Sequence, residues 1–327
     1  MEQVPLGRTG RTVSRIALGT TTFGREIDED ATRRILDYAV GHGLTLLDTA
    51  EAYGGGNARL YRRDVMGVQD VRETTGEVSS SERMIGTWMR DRGVADEVTV
   101  LTKVSSGNSP GNIERALSAS LERLQLDSVP IYMVHNYDDE VPLDETMDAL
   151  NRTVADGRAQ ALGCSNFTGT QLRDALAIST ANGYARMEIV ENIYNLARPE
   201  EERDSMAVCA DEDITFLAYS PLGAGVLAGK YTADRDALPE RTRFHVIPGH
   251  CDVYFSERNF RVVEQLRAKA AELDESMVYL AAAWVIANRS VGSTLFGART
   301  TAHLDNALRA FHEGIPAELH AEMSAWD

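Results

Sequence analysis

Four polar residues of complementary chemistry follow strand-like apolar runs in three separate parts of the chain. Asp48, Lys103 and His135 each come at the end of such a run, and Tyr53 lies five residues after Asp48. Parallel barrels gather their functional groups at the carboxyl ends of their strands. A carboxylate, an ammonium, an imidazole and a phenol at one rim could together donate a proton to a carbonyl oxygen. The four residues therefore predict proton transfer to a carbonyl.

The proton donor of this group would be Tyr53, because a neighbouring cation can make a phenol more acidic. The ordinary pKa of a phenol is about 10, and Lys103 would lower it while Asp48 held Lys103 in place. Each residue taken alone would more often be a salt-bridge or packing residue. Four matching positions together favour the catalytic interpretation.

The elements that would position these residues alternate between strand-like and helix-like segments. Strands are predicted at residues 15–18, 44–48, 98–103, 131–135, 159–164, 187–191, 214–219 and 292–296. Helices are predicted at residues 30–40, 80–92, 113–124, 143–155, 170–180, 200–209, 257–273 and 276–288. This alternation is typical of parallel β/α units, and eight such units close a barrel. The sequence predicts an α/β fold of the (β/α)8 TIM-barrel type, one domain over residues 1–327, preceded by a β-hairpin of residues 4–6 and 12–14.

Composition disfavours several classes of partner. The formal net charge of −17 opposes binding to nucleic acid and to anionic membranes. Three widely spaced cysteines argue against a disulfide framework or a zinc site and favour a reduced, cytoplasmic setting. The N-terminus has no leader pattern, and no apolar run is long enough to span a bilayer. A small-molecule substrate is the expected partner, and a homo-oligomer stays open.

Five segments resemble the aldo-keto reductases, in the order of that family and nearly its spacing. They are LLDTAEAYG at 46–54, LTK at 101–103, MVH at 133–135, LGCSNF at 162–167 and AYSPLG at 218–223. The resemblance covers almost the whole chain. It implies a carbonyl reductase that uses NADPH/NADP+ and neither metal nor flavin. It also implies that Tyr53 protonates the carbonyl oxygen, His135 orients the carbonyl, and Lys103 and Asp48 tune Tyr53.

The resemblance also implies a set of cofactor contacts. The implied residues are Thr21, Asp48, Ser165, Asn166, Glu191, Tyr219, Ser220, Leu222, Gly225, Lys230, Gly297, Arg299 and His303. Ser165 and Asn166 would bond the nicotinamide carboxamide, and Tyr219 would stack on the ring. Arg299 follows the eighth strand, where its guanidinium could pair with a 2′-phosphate and favour NADPH over NADH. The alternative is an arginine at a helix start that faces solvent.

Glu191 stands where the family normally has glutamine. Ionised glutamate only accepts hydrogen bonds, whereas glutamine also donates them. Its negative charge would favour the cationic oxidised nicotinamide over the neutral reduced ring. We therefore hypothesise that Glu191 makes the site bind NADP+ relatively tightly.

Residues 57–79 form an insertion in the loop after barrel strand 2, at the expected active-site mouth. The insertion carries four arginines, Arg59, Arg62, Arg63 and Arg72. It could act as a lid whose cations attract an anionic substrate, and the ensemble resembles the aldo-keto reductases that reduce nucleotide-linked keto-deoxysugars. It could instead be an ornamental loop whose arginines pair with the acidic residues beside them.

Two further interpretations concern the whole chain. Some proteins of this fold are cofactor-sensing subunits of membrane channels with little turnover, and the four residues above do not exclude that role. His245 and His250, in the loop after the seventh strand that also holds Cys251, could suggest a metal site, but no third ligand falls at a spacing that would support one. No metal is expected.

Overall fold

Eight parallel strands close into a barrel in the computed structural model, which describes residues 1–327. An antiparallel hairpin of β1 (Gln3–Pro5) and β2 (Thr12–Ser14) precedes it. The barrel strands are β3 (Ile16–Gly19), β4 (Leu46–Asp48), β5 (Thr99–Val104), β6 (Val129–Val134), β7 (Ala159–Ser165), β8 (Met187–Ile193), β9 (Thr215–Tyr219) and β10 (Ser293–Gly297). Strand β10 pairs with β3 to complete the closure. The predicted (β/α)8 barrel and its hairpin are confirmed.

The helices surround the barrel. They are α1 (Glu29–Gly41), α2 (Asn57–Met66), α3 (Ser80–Arg92), α4 (Pro110–Leu124), α5 (Leu143–Ala155), α6 (Gly169–Asn182), α7 (Ser205–Asp211), α8 (Arg243–Val246), α9 (Cys251–Tyr254), α10 (Glu257–Leu273), α11 (Met277–Ala287), α12 (Thr301–Glu313) and α13 (Ala317–Ser324). Short 3-10 turns lie at Glu200–Arg203, Gly223–Ala228 and Pro248–His250. No helix of the structure is both long enough and apolar enough to cross a membrane.

Alternation along the strands divides the apolar residues between two cores. The smaller core fills the barrel with one or two side chains from each strand, and the larger lies between barrel and helices. Leu6 and Val13 of the hairpin region are fully buried in the inner core, so the hairpin seals the amino-terminal end of the barrel. Because side chains two apart share a face, Leu46 and Leu101 in the inner core place Asp48 and Lys103 inside the opposite end.

One predicted helix is wrong. Residues 200–209 form a 3-10 turn and then α7, separated at Asp204, whose backbone has φ −122° and ψ −106°. The Asp204 carboxylate accepts a hydrogen bond of 2.9 Å from the backbone N–H of Gly169 at the start of α6. This tertiary contact ends one helical turn and begins another.

The insertion, residues 57–79, is folded and docked. It contains α2, and its later part pairs with the loop after β3 through Thr74 N–H to Arg25 O at 2.8 Å and Thr75 N–H to Gly24 O at 3.0 Å. A Cβ at Gly55 would lie 1.7 Å from the carbonyl oxygen of Thr75. Only glycine permits so close an approach.

The arginines of the insertion are paired with carboxylates, as the second of the two sequence interpretations proposed. Buried Arg62 lies 2.8 Å from both Asp70 and Glu73 and donates a bond of 2.6 Å to the carbonyl oxygen of Val246. The other arginines of the insertion form three further ion pairs: Arg63 with Asp64 at 2.6 Å, Arg72 with Asp70 at 2.5 Å and Arg59 with Glu73 at 3.7 Å. The insertion therefore offers few free cations to an anionic substrate, and the ion pairs favour the second interpretation over the first.

We predict that Arg62→Met destabilises the protein, because it leaves the fully buried carboxylate of Glu73 without its nearest cation. The expected fall in the free energy of unfolding is about 3 kcal/mol, measured by urea unfolding at neutral pH. Arg63→Met is the matched control, since its pair with Asp64 is exposed, and should change that energy by less than about 1 kcal/mol. Equal stability of the two variants would contradict the structural role of Arg62.

Candidate active site

Lys103 occupies the centre of the site, with no exposed surface. Its ammonium contacts Asp48 Oδ1, lies 3.2 Å from the carbonyl oxygen of Thr49 and lies 3.2 Å from Glu191 Oε2. Two carboxylates from β4 and β8 thus flank one lysine from β5. The sequence analysis paired Lys103 with Asp48 alone.

Tyr53 lies beside this group because the segment after β4 continues to pair with β5. The backbone N–H groups of Thr49 and Glu51 donate to the carbonyl oxygens of Leu101 and Lys103 at 2.8 and 3.0 Å. The Lys103 ammonium lies 5.0 Å from the centroid of the Tyr53 ring. The phenol is partly exposed, and its hydroxyl makes no hydrogen bond within the protein.

The pKa of Tyr53 is raised rather than lowered. Burial raises it most, the negative charge of Asp48 raises it further, and the opposing effect of Lys103 is smaller. The predicted direction of the Lys103 effect is therefore right, but its predicted dominance is wrong. Tyr53 keeps its proton throughout the neutral range, which suits a proton donor.

His135 follows β6 and faces Tyr53. The two rings lie 5.6 Å apart, nearly edge to face at 72°. Burial and then the charge of Lys103 lower the pKa of His135 to about 3, so the imidazole is neutral. Its Nδ1 lies 2.7 Å from Ser105 Oγ, and a hydroxyl donating there leaves the ring proton on Nε2. The neutral ring can then offer Nε2–H to a carbonyl oxygen. Ser105 was missed by the sequence analysis, although it follows Lys103 on the same face.

Glu191 is buried, with 2% of its surface exposed. Burial and then the neighbouring charge of Asp48 raise its pKa to about 8, against the opposing charge of Lys103. The pKa of Asp48 is also raised by burial, against the opposing charge of Lys103. When two carboxyl groups share one ammonium, ionising the second is unfavourable because the two negative charges repel each other. Glu191 is therefore largely protonated at neutral pH, which corrects the expectation of an ionised acceptor.

Residues predicted to contact the nicotinamide lie next to the catalytic candidates Asp48, Tyr53, Lys103 and His135. Asn166, in the left-handed conformation with φ +59°, donates 2.9 Å to the carbonyl oxygen of His135. The Tyr219 hydroxyl donates 2.8 Å to Asn166 Oδ1, and Ser165 Oγ donates 2.7 Å to the carbonyl oxygen of Glu191. Strands β6, β7, β8 and β9 thus bring these side chains to one face of the mouth.

A separate cationic group forms from residues predicted to contact the phosphates. The backbone N–H of Arg299 donates to His303 Nδ1 at 3.3 Å. Burial and then Arg299 lower the pKa of Lys230, and the Arg299 guanidinium donates to the carbonyl oxygen of Arg241 at 2.5 Å rather than to a carboxylate. Gly225, with φ +98°, packs so closely that a Cβ would lie 2.5 Å from Lys230 Cε. Two unpaired cations in an acidic protein fit the phosphates of a dinucleotide.

The remaining predicted cofactor residues surround these groups. Gly297 pairs in register with Gly19 where β10 and β3 end. Ser220 has φ +54°, while Thr21 and Leu222 are half-buried.

The family model for the aldo/keto reductase family matches residues 15–327, and the chain belongs to that family. It is 30% identical to the uncharacterized oxidoreductase YrpG of Bacillus subtilis, over 98% of this chain and 94% of that protein. It is 28% identical to a probable voltage-gated potassium channel subunit beta of Arabidopsis thaliana, over 95% and 91% of the two chains. It is also 28% identical to the NADH-specific methylglyoxal reductase of Escherichia coli, over 91% and 90%. The family acts as oxidoreductases on carbonyl groups.

We predict that the affinity for NADP+ rises with pH in a step near pH 8. The pKa of Glu191 is about 8, so its carboxyl is neutral below this pH and becomes negative above it. The new charge attracts the cationic nicotinamide, with an expected gain of about tenfold. Fluorescence titrations between pH 7 and pH 9.5 would measure the step, with NADPH as the control because its ring is neutral. The same step in Glu191→Gln would contradict the assignment.

Proposed function

We propose that the protein is an NADPH-dependent carbonyl reductase. The observation that carries the proposal is the position of a protonated phenol and a neutral imidazole, with ring centroids 5.6 Å apart, beside a buried lysine that contacts Asp48 and Glu191. The unpaired cations Lys230 and Arg299 support a phosphorylated cofactor, and Arg299 supports the 2′-phosphate of NADPH. Because one relative is named as NADH-specific, both nucleotides belong in the assay.

Each residue of the site has a separate role in the reduction. Bound NADPH would supply hydride to the carbonyl carbon. Tyr53 gives its hydroxyl proton to the carbonyl oxygen, which completes the alcohol, and recovers a proton from solvent at the open mouth. His135 donates a hydrogen bond from Nε2 to the same oxygen and so fixes the carbonyl beside the phenol. Lys103 limits the cost of negative charge on Tyr53 as the proton leaves.

The substrate panel should contain simple aldehydes, 2-oxoaldehydes and keto-sugars, both free and nucleotide-linked. A nucleotide-linked keto-sugar was suggested by the arginines of the insertion, and their pairing with Asp70, Glu73 and Asp64 removes that support. The panel therefore gives none of these substrate classes priority over the others. Its best substrate would separate a general aldehyde reductase from a sugar-pathway enzyme.

A second candidate function is cofactor sensing with little turnover. The similarity to a probable potassium channel subunit beta supports it. The two functions differ in one measurement. Tight binding of NADPH with no turnover on any carbonyl of the panel would favour the sensor and count against the reductase.

We predict that Tyr53→Phe lowers kcat at least about 100-fold while the Kd for NADPH stays within about twofold. The ring remains to pack against His135, and only the transferable proton is lost. The disappearance of NADPH absorbance would report turnover. Tyr38→Phe is the matched control, since Tyr38 lies on α1, where its hydroxyl bonds Asp305. Unchanged turnover in Tyr53→Phe would refute the proton-donor role.

We predict that the effects of Asp48→Asn and Glu191→Gln on kcat/KM are not additive. Either carboxylate alone can neutralise Lys103, because both contact its ammonium. Each single variant should lose about tenfold or less, and the double variant should lose clearly more than the product of the two. Thermal unfolding of all three would check that each is folded. Strict additivity would mean that the two carboxylates do not share Lys103.

A further inference from the structure

The ring of His135 makes one hydrogen bond within the protein, between Nδ1 and Ser105 Oγ at 2.7 Å. A neutral imidazole carries a single proton, so this bond can form in two ways. Ser105 can donate to a bare Nδ1, which leaves the ring proton on Nε2. Alternatively, Nδ1–H can donate to Ser105, which leaves Nε2 bare.

The two arrangements offer opposite groups to a carbonyl substrate. With its proton on Nε2, the ring donates a hydrogen bond to the carbonyl oxygen and stabilises the negative charge that develops there. With Nε2 bare, the ring is an acceptor that repels the lone pairs of that oxygen. A bare nitrogen would also compete for the proton of Tyr53, whose ring centroid lies 5.6 Å away. The tautomer of His135 therefore decides whether both side chains can donate to one oxygen.

The surroundings of Ser105 favour the tautomer with the proton on Nε2. The Ser105 hydroxyl is half-buried, and His135 Nδ1 is its only hydrogen-bond partner in the protein. If the hydroxyl accepted from Nδ1–H, its own proton would have no acceptor in the protein, which is unfavourable at such a position. When the hydroxyl donates to Nδ1, its proton and the nitrogen lone pair are both satisfied.

Glu51 holds Ser105 where its hydroxyl reaches the ring. Ser105 follows Val104, the last residue of β5, so contacts outside the sheet must position it. The backbone N–H of Glu51 donates to the carbonyl oxygen of Lys103 at 3.0 Å, and Glu51 Oε2 accepts from the backbone N–H of Ser105 at 3.0 Å. The main chain and the side chain of Glu51 thus bind the two residues on either side of Val104.

The carboxylate of Glu51 is itself held in place. Only 13% of its side chain is exposed, and its Oε1 lies 3.4 Å from the guanidinium of Arg115 on α4. Its Oε2 also accepts a bond of 2.8 Å from the Ser106 hydroxyl, which in turn accepts from Arg115 at 2.9 Å. A carboxylate bound by donors from two segments has little freedom to release Ser105. The support for His135 therefore extends from α4 through Glu51 to Ser105.

We propose that Ser105 and Glu51 are positioning residues that keep the ring proton of His135 on Nε2. Ser105 acts through its hydroxyl on Nδ1, and Glu51 acts by fixing Ser105. A hydrogen bond at one nitrogen of an imidazole sets which tautomer is present, and outer partners of this kind support functional side chains generally. The inference rests on the proposed reductase function, for which it explains how His135 is kept as a donor.

The tautomer can be measured without turnover. Nitrogen-15 NMR of the histidine-labelled full chain at neutral pH distinguishes a protonated from a bare ring nitrogen, and His135→Gln identifies the His135 signals among those of the seven histidines. We expect the Nε2–H form to predominate in the wild type and in Ser105→Thr, which keeps the hydroxyl. Ser105→Ala should raise the ratio of Nδ1–H to Nε2–H about fivefold, because one hydrogen bond is lost.

Turnover gives a second measurement. Ser105→Ala should lower kcat about tenfold while the Kd for NADPH stays within about twofold, and Ser105→Thr should recover most of the loss. Glu51→Ala should shift the tautomer in the same direction as Ser105→Ala, whereas Glu51→Gln keeps an acceptor for Ser105 N–H and should not. Ser118→Ala is the matched control, since this hydroxyl bonds the carbonyl oxygen of Glu114 within α4, and it should change neither quantity.

An unchanged tautomer in Ser105→Ala would overturn the proposal, even if kcat fell. A shifted tautomer with kcat within about twofold of the wild type would equally remove Ser105 from the reaction. If the wild type reduces no carbonyl, the reductase function fails, yet the NMR comparison of Ser105→Ala, Ser105→Thr and Glu51→Ala still decides whether these residues set the tautomer.

Discussion

The buried ammonium of Lys103 is the constraint on which the site depends. A charge at the centre of a barrel is strongly unfavourable unless carboxylates and oriented oxygens compensate for it. Asp48, Glu191 and the carbonyl oxygen of Thr49 supply that compensation from two different segments. Each contact requires the strands to keep their register, so the barrel and the site stabilise each other. Loss of one strand's register would leave the lysine buried and unpaired.

The same arrangement sets the protonation of its neighbours. Burial first, and then the negative charge of Asp48, keep the pKa of Tyr53 high despite a cation 5.0 Å from its ring. Lys103 still acts on His135, whose pKa falls with burial and with that charge. The result is a phenol that keeps its proton beside a neutral imidazole that carries a single ring proton. A carbonyl oxygen between them meets two neutral donors and no competing full charge.

Much of this architecture could be read from the sequence, because apolar runs and their alternation determine which strand residues face inward. Asp48 and Lys103 were placed correctly on that basis, and all eight strands were found within two residues of their bounds. Side-chain partners could not be read in this way. The pairing of Arg62 with Glu73 and Val246, the second carboxylate on Lys103, and the division of the helix at Asp204 all depend on segments that meet only in the folded chain. The raised pKa of Glu191 likewise follows from burial and from Asp48, neither of which its sequence neighbours show.

The cations Lys230 and Arg299 lie in a chain of net charge −17. An anionic molecule approaching from solution first meets the negative field of the whole surface and only at close range the local positive charge. Added salt screens the negative field over a Debye length of about 8 Å at physiological ionic strength, whereas a cation in contact with the bound anion acts well within that length. Capture of anionic molecules should therefore become faster, not slower, as ionic strength rises, which is the reverse of the behaviour of enzymes that draw such molecules in by a positive surface.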